Sequence, residues 1–392
     1  MSVFHAKEIF FSPCPRGLEN VLTAELATAG AVSIQQVPGG ALFAGSLETC
    51  YRVNLESRIA TRVLWQLVSA PYRDENDLYH LAQEVKWPRL FSPDRTIRIH
   101  ITATHSPLKS IEFATLRIKD AVCDRFRADT GVRPSVNTKD PDVRIHCFLT
   151  SDMATLYLDT SGEPLWNRGH KMAKVVAPLK ENLAAGILRL IGWQPGIPLL
   201  DPMCGSGTFL LEAAGMALND APGLSRDAGA FGFERLSDFD PALWKQCRSE
   251  AAARRVVVDV TNAPLPIWGS DHAADAIVRT RQNLSHAGLD DLVTLQQADL
   301  LNLERPAPEG ILIANPPYGE RLGDDATLAA FYPRWGDALK KHFAGWNCWF
   351  LSADTQLPKA IGLSPKRKTP LFNGNLECRL YSFPVVAGSN RS

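Results

Sequence analysis

The sequence predicts an α/β protein, with an open, mostly parallel sheet in the C-terminal half and an α+β region before it. Three observations carry that expectation. Ile311-Leu312-Ile313-Ala314 is short, branched and uncharged, the pattern of a buried parallel strand, and it stops at Asn315-Pro316-Pro317-Tyr318. Two prolines continue neither a ladder nor a helix interior, so the chain leaves the sheet there in a stiff loop. Ile197–Leu200 is a second such run, ending at Asp201 ahead of a Gly-rich turn and a helix from about Thr208. The first 160 residues instead alternate small strands and helices, which suits a compact mixed module.

With 392 residues the chain has room for two or three domains with substantial cores. No apolar run approaches the roughly 18 residues of a membrane span. The N-terminus lacks a charged region followed by a long apolar core, so a cytoplasmic protein without a signal peptide is expected. Eight cysteines are scattered with no C-x-x-C pair, which argues for reduced thiols and against a zinc site or disulfide framework. Lys+Arg and Asp+Glu balance at 42 each, and at 18 each over residues 1–160, so any nucleic-acid surface would be a local patch.

IFFSP (9–13) and VSIQQV (32–37) read as strands around a helix from about Arg16 to Ala29, with Leu18, Val21, Leu22 and Leu26 on one face and Gly30 as its stop. ALFAG (41–45) suggests a strand, and a helix from about Glu48 to Ala60 leads into the strand RVLWQLVSA (62–70). TIRIHITAT (96–104) alternates as a half-buried strand. Residues 111–130 form an amphipathic helix with Phe113, Leu116, Ile118, Val122 and Phe126 on its apolar side. VRIHCFLT (143–150) and ATLYLDTSG (154–162) make a hairpin. Lys109, Arg117, Lys119, Arg125, Arg127, Arg133 and Lys139 suit either a solvated helix face or phosphate contacts.

Residues 163–182 cross into the second half, with a cationic cluster of Arg168, His170, Lys171 and Lys174; a lone His in such a segment more often only hydrogen-bonds. Pro178 starts a helix carrying Leu183, Ile187, Leu190 and Ile191. In Asp201-Pro202-Met203-Cys204-Gly205-Ser206-Gly207-Thr208 the glycines let backbone approach a ligand closely. The spacing is not G-x-G-x-x-G and no Lys follows, which disfavours dinucleotides and nucleoside triphosphates. LPIWGSD (265–271) and VTLQQAD (293–299) are the next strands, ending in Asp271 and Asp299. Residues 220–262 lie between as an insertion, with a helix over about 241–256. NCWFLSAD (347–354) is the fifth strand, and LFNGNLECRLYSF (371–383) supplies a turn at Asn373-Gly374 and a last strand. Lys366-Arg367-Lys368 reads as a solvated loop, with RNA contact as the lesser alternative.

NPPY resembles the signature of methyltransferases acting on exocyclic amino groups, and D-P-x-C-G-S-G-T resembles motif I of class I S-adenosylmethionine-dependent methyltransferases. With CPRGLENVLTAEL, APLKENLAAGIL, APGL, NPPYGERLG and NGNLEC in order, nearly the whole chain resembles the THUMP-containing RNA guanine-N2 methyltransferases. The 23S rRNA branch, in some bacteria the N-terminal half of a two-activity fusion, is the particular likeness. The resemblance implies a Rossmann-like seven-stranded sheet over 163–392, a ferredoxin-like element over 1–50 and a THUMP RNA-binding domain over 51–162. It implies S-adenosylmethionine as cofactor and RNA as partner (23S rRNA, or tRNA), a monomer, and no metal. The guanine-N7 half of the fusion is expected to be absent, since the sequence reads as one catalytic domain.

Lys180, in the expected motif X, joins Asp201, Pro202, Cys204, Gly205, Gly207, Thr208 and Asn315 as cofactor-binding candidates. Asp271 would accept from the ribose hydroxyls, and Asp299 would either cap its loop or accept from the adenine amine. The family commonly has a second acid where this chain has Ala273, leaving the ribose contact to Asp271. Asn315 and the Pro316 carbonyl would accept hydrogen bonds from the target amine, and Pro317 stiffens the loop that presents Tyr318 to stack on a flipped base. Lys109, Arg117, Lys119, Arg125, Arg168 and Lys171 are the RNA-contact candidates. The leaving group is a neutral thioether, so the transfer calls for no covalent nucleophile. Adenine-N6 methylation and a non-catalytic RNA-binding assembly factor are the rival readings.

Overall fold

In a computed structural model the chain is described over residues 7–169, 179–259, 264–316 and 325–386, with backbone alone over 325–330. It forms two compact units: Met1–Cys14, Leu22–Leu165 and Gly223–Glu250 make the first, and Pro15–Val21, Trp166–Pro222 and Ala251–Ser392 the second.

The first unit's sheet uses β1 (Glu8–Pro13), β2 (Val32–Val37), β3 (Gly40–Gly45), β4 (Leu64–Pro71), β5 (Ile97–Ala103), β6 (Val143–Leu149) and β7 (Met153–Asp159). Its helices are α1 (Glu19–Thr28) from Leu22 on, α2 (Leu47–Glu56), α3 (Glu75–Glu84), α4 (Trp87–Leu90) and α5 (Ile111–Thr130). Strand order is β2-β3-β1-β4-β7-β6-β5, and only β5 and β6 run parallel. Because β4 pairs with β1 on one side and β7 on the other, one sheet runs through both N-terminal elements that the resemblance implies.

Helix α2 starts at a capping box, Ser46 and Thr49 exchanging side-chain-to-backbone hydrogen bonds of 3.3 Å. It ends before the expected Ala60 because the buried Glu25 carboxylate draws the following residues into a turn. Glu25 accepts from Ser57 Oγ at 2.8 Å and from the N–H groups of Arg58 and Ile59 at 3.1 Å each. Helices α3 and α4 were not expected; α3 is capped by Asp74 and buries Leu78, Leu81 and Ala82. Helix α5 has its expected length, but Phe113 and Leu116 are half exposed. The smaller Ala114 and Ala121 lie in the buried stripe with Ile118, Val122 and Phe126.

The second unit contains α6 (Glu181–Leu190), β8 (Leu199–Asp201), α7 (Thr208–Ala217), the end of α8 (Pro241–Ala253), β9 (Ile267–Asp271), α9 (Ala274–His286) and β10 (Thr294–Gln297). It continues through β11 (Gly310–Ala314), α10 (Asp325–His342), β12 (Trp346–Ser352), α11 (Leu357–Ala360), β13 (Arg367–Asn373) and β14 (Leu376–Pro384). The order β10-β9-β8-β11-β12-β14-β13 makes the expected seven-stranded sheet, with β14 antiparallel to both neighbours. Leu200, Leu312, Trp335, Trp346, Phe350 and Phe383 lie in its core. Arg367 and Lys368, expected in a loop, open the edge strand β13, where both remain exposed. An edge strand needs only one paired side, so a charged segment that reads as loop can still enter the sheet.

The middle of the expected insertion, 223–250, belongs to the first unit. Phe233 and Trp244 pack around Tyr51 of α2 with ring centroids 4.4 and 5.6 Å away, and the Asp240 N–H donates to Tyr51 Oη at 2.9 Å. Apolar rings in a loop bury wherever a matching face exists, whatever the chain order. Among the described residues no helix is long and apolar enough to cross a membrane.

Candidate active site

Parallel register decides where the two glycine- and proline-rich segments meet. Leu200 of β8 and Leu312 of β11 are direct partners on adjacent strands, so the 202–207 turn and the Asn315-Pro316 corner leave the same carboxyl edge. Ligands of open α/β sheets bind along such an edge. Gly205 (φ +57°) and Gly207 (φ +76°) both adopt the left-handed region. At Gly205 a Cβ would meet only Met203 O at 4.0 Å, so the turn is open there, whereas at Gly207 it would lie 2.7 Å from Thr280 Cγ2.

Asp271 ends β9 and locks this turn. Its carboxylate accepts the Gly205 N–H at 3.1 Å on one oxygen and the Ala273 N–H at 3.0 Å on the other. Each oxygen keeps a further lone pair for a ligand. Thr280 Oγ1 donates to Gly205 O, and Asn283 Nδ2 to Ser206 O, both at 3.0 Å. These two residues were missed in the sequence. Their signal is a pair of polar residues inside the buried stripe Ala276, Ile277, Thr280, Asn283, Leu284 of α9. Thr208 begins α7 directly after Gly207.

Asp201 is fully buried at the end of β8, where Met203 N donates to it at 3.2 Å. Burial pushes its acid up to about 8, and the nearby Asp271 adds to the rise. Burial likewise raises the thiol of Cys204, which lies 3.6 Å from Thr280 Oγ1. Pro202 is buried in the same turn. Asp299 is exposed and caps the one-turn helix over 300–302, accepting from Leu301 N at 3.0 Å. Asn315 Oδ1 is buried and has no hydrogen-bond partner among the described residues, and Pro316 is buried beside it. Pro317, Tyr318, His170 and Lys171 lie outside the described residues.

Lys180 precedes α6 with its ammonium 5.1 Å above the Trp166 ring. Arg168 is corrected as an RNA contact, because it is buried against Glu212 of α7, Nε to Oε1 3.4 Å, which removes it from any surface. On α5, Arg117 lies 4.4 Å over Tyr79 and bonds Asn76, Lys119 pairs with Asp120, and Arg125 pairs with Asp129 at 2.8 Å. Lys109 is exposed just before that helix. The α5 cations thus form a salt-bridged helix face. Among the described residues no group of three or more His, Cys, Asp or Glu could hold a metal ion.

A family model described as RMKL-like, methyltransferase domain matches residues 168–382, over half of the chain. The chain belongs to the RMKL-like methyltransferases. Upstream, this methyltransferase matches the THUMP domain over 72–159 and the RlmL ferredoxin-like domain over 9–64. It is 38% identical over 396 residues to the ribosomal RNA large subunit methyltransferase K/L of Aeromonas hydrophila, covering 97% of this chain and 55% of that protein. The corresponding protein of Shewanella frigidimarina is 38% identical over 383 residues, covering 97% and 53%. The chain thus spans about half the length of the curated relatives it matches. Among solved structures, SMU.472 complexed with SAH gives a TM-score of 0.86 at 30% identity, covering 99% of this chain and 100% of that one. TrmN from Thermus thermophilus shares the fold, with a TM-score of 0.68 at 20% identity over 96% and 99% of the two chains. The second unit of this RMKL-like methyltransferase has the S-adenosylmethionine-dependent fold.

Proposed function

We propose that this methyltransferase moves the methyl group of S-adenosylmethionine onto the exocyclic N2 of a guanine in 23S rRNA. The observation that carries the reading is Asn315 Oδ1, a buried acceptor without a partner among the described residues, just after the strand that adjoins the one leading into the open Gly205 turn. Leaving a buried amide oxygen unpaired costs about 1–3 kcal/mol, which an amine hydrogen-bonding there recovers.

Guanine N2 is a poor nucleophile because its lone pair is delocalised into the ring. Asn315 Oδ1 and the Pro316 carbonyl accept hydrogen bonds from its N–H groups as it pyramidalises, which favours the transition state over the planar amine. The N–CH3 bond forms as the C–S bond to the neutral thioether breaks, and one N2 proton leaves to solvent. Pro317 stiffens the loop, and Tyr318 stacks on the flipped base. Asp271 accepts from the ribose hydroxyls with its remaining lone pairs, and the outer oxygen of Asp299 accepts from the adenine amine. Gly205 and Gly207 admit the donor to the backbone, while Pro202, Cys204 and Thr208 shape the turn. The donor supplies an electrophilic methyl group. Action on ribosomal RNA goes with a cytoplasmic location, and we read the chain as a monomer.

Incubation of the purified chain with methyl-labelled donor and unmodified 23S rRNA or tRNA, followed by nucleoside mass spectrometry, tests the reading. N2-methylguanosine confined to 23S rRNA is expected. A solved structure from Listeria monocytogenes, described as a predicted N6-adenine-specific DNA methylase, gives a TM-score of 0.85 at 28% identity over 96% of each chain. N6-methyladenine as the product would favour that second reading, and label in tRNA alone would move the substrate there.

A further inference from the structure

Three segments far apart in the chain meet at one place on the second unit. A Cβ on Gly17 would lie 2.6 Å from Pro370 O and 2.8 Å from Leu371 Cδ2, so the loop before α1 sits directly on the β13–β14 hairpin. Beside it the Arg16 guanidinium lies 5.7 Å over the Phe372 ring. Across the hairpin turn, a Cβ on Gly374 would lie 3.9 Å from Lys180 Nζ, the same ammonium that covers Trp166. Arg16 is exposed, and Trp166, Lys180 and Phe372 are half-buried.

Sheet register places this cluster relative to the Asn315 corner. Ala314 pairs with Phe350, and Ser352 two residues on pairs with Arg379. The hairpin turn, where Asn373 pairs with Leu376, therefore extends past the carboxyl edge of the sheet by three residues, about 10 Å at strand rise. It forms a rim on the edge from which Asn315 emerges. The rim carries two aromatic rings, each covered by a cation, with Lys368 on the same face of β13 as Phe372. Aromatic faces interleaved with cations match alternating bases and phosphates of a single strand.

We propose that this rim holds the single-stranded RNA flanking the target guanine, with Arg16 and Lys180 on phosphates and Phe372 and Trp166 stacking the neighbouring bases. The proposal rests on the guanine-methylation reading and moves Lys180, expected at the cofactor, to the RNA. A duplex could not present its bases to the rings, so the flanking RNA is unpaired.

The test uses the whole chain, a fluorescein-labelled single-stranded RNA of about twelve nucleotides with one central guanine, and anisotropy. S-adenosylmethionine affinity is measured alongside by calorimetry. Arg16→Gln and Phe372→Leu are each expected to weaken RNA binding about tenfold and leave donor affinity within about twofold, while Phe372→Tyr retains RNA affinity. Lys180→Gln should weaken RNA binding and reduce its salt slope by about one. Unchanged RNA affinity in both Arg16→Gln and Phe372→Leu overturns the proposal. Loss of donor affinity in Lys180→Gln with RNA affinity unchanged does so too. Absence of any RNA methylation by the wild-type chain would instead defeat the guanine reading; methylation with normal RNA binding by every variant defeats only the rim.

Discussion

The Gly205 N–H donates to the Asp271 carboxylate across 3.1 Å, joining the turn after one strand to the end of the next. With the Ala273 N–H on its other oxygen, this carboxylate fixes the turn and keeps a further lone pair on each oxygen. Asp271→Asn keeps one of the two acceptors and turns the other into a donor facing an N–H. We expect donor affinity to fall on the order of 10- to 100-fold, from a charged hydrogen bond of about 1.5–3 kcal/mol, with kcat at saturating donor changed little. Calorimetric titration beside single-turnover kinetics checks the split.

Asn315→Ala should show the opposite division. Removing the acceptor proposed for the target amine is expected to lower kcat on the order of 100-fold, while donor Kd stays within about threefold. Equal loss of donor affinity in Asn315→Ala and Asp271→Asn contradicts these separate roles.

Asp201 makes stability depend on pH. Burial first, then Asp271, raises its folded-state acid to about 8 from an ordinary 3.8. A raised folded pKa means the native state binds the proton more tightly, so this contribution is complete below about pH 4 and is lost as pH rises towards 8. Melting temperatures of Asp201→Asn and wild type should therefore diverge in the variant's favour between pH 5 and 8. Parallel curves would show that Asp201 is ionised throughout.

Gly207 tests the close packing under the turn. In Gly207→Ala the new methyl meets Thr280 Cγ2 at 2.7 Å in a left-handed conformation, at a cost of about 2–4 kcal/mol. Thr280→Ser removes that methyl and keeps the hydroxyl, so the double variant should recover part of the loss. Urea midpoints of the four proteins measure the coupling.

Arg168 should behave as a structural residue. Arg168→Met leaves Glu212 buried without this partner and is expected to destabilise by about 3–5 kcal/mol. Adding Glu212→Leu should restore much of it. RNA affinity of the folded double variant is expected to match wild type by anisotropy, as a surface phosphate contact would not.

The catalytic sheet was legible because its strands are short apolar runs with abrupt stops, and Ile311–Ala314 and Ile267–Asp271 need no partner to declare themselves. Helix α5 was legible in length but not in orientation. At about 100° per residue Ala114 and Ala121 lie within about 60° of Ile118, while Phe113 and Leu116 lie about 140° and about 160° from it. The period itself therefore selects the smaller pair, and choosing the larger apolar side chains misread the face. Asp299 was open to two readings, and its bond to Leu301 N shows that a cap leaves the second oxygen available. Arg168 misled because charge in a basic segment reads as surface, while its burial depends on an acid 44 residues later.

By itself the sequence determined the local chemistry: a glycine turn after Asp201, a proline-stiffened amide at 315, and the strand-and-helix rhythm that builds a methyltransferase sheet. Each follows from residue conformational preferences and periodicity, which act over a few neighbours. Only the tertiary structure decided that Gly205 bonds to Asp271, that residues 223–250 pack with Tyr51, and that Arg16, Lys180 and Phe372 gather round one turn. Those meetings depend on parallel register and on which buried faces match, and no short stretch of chain encodes either.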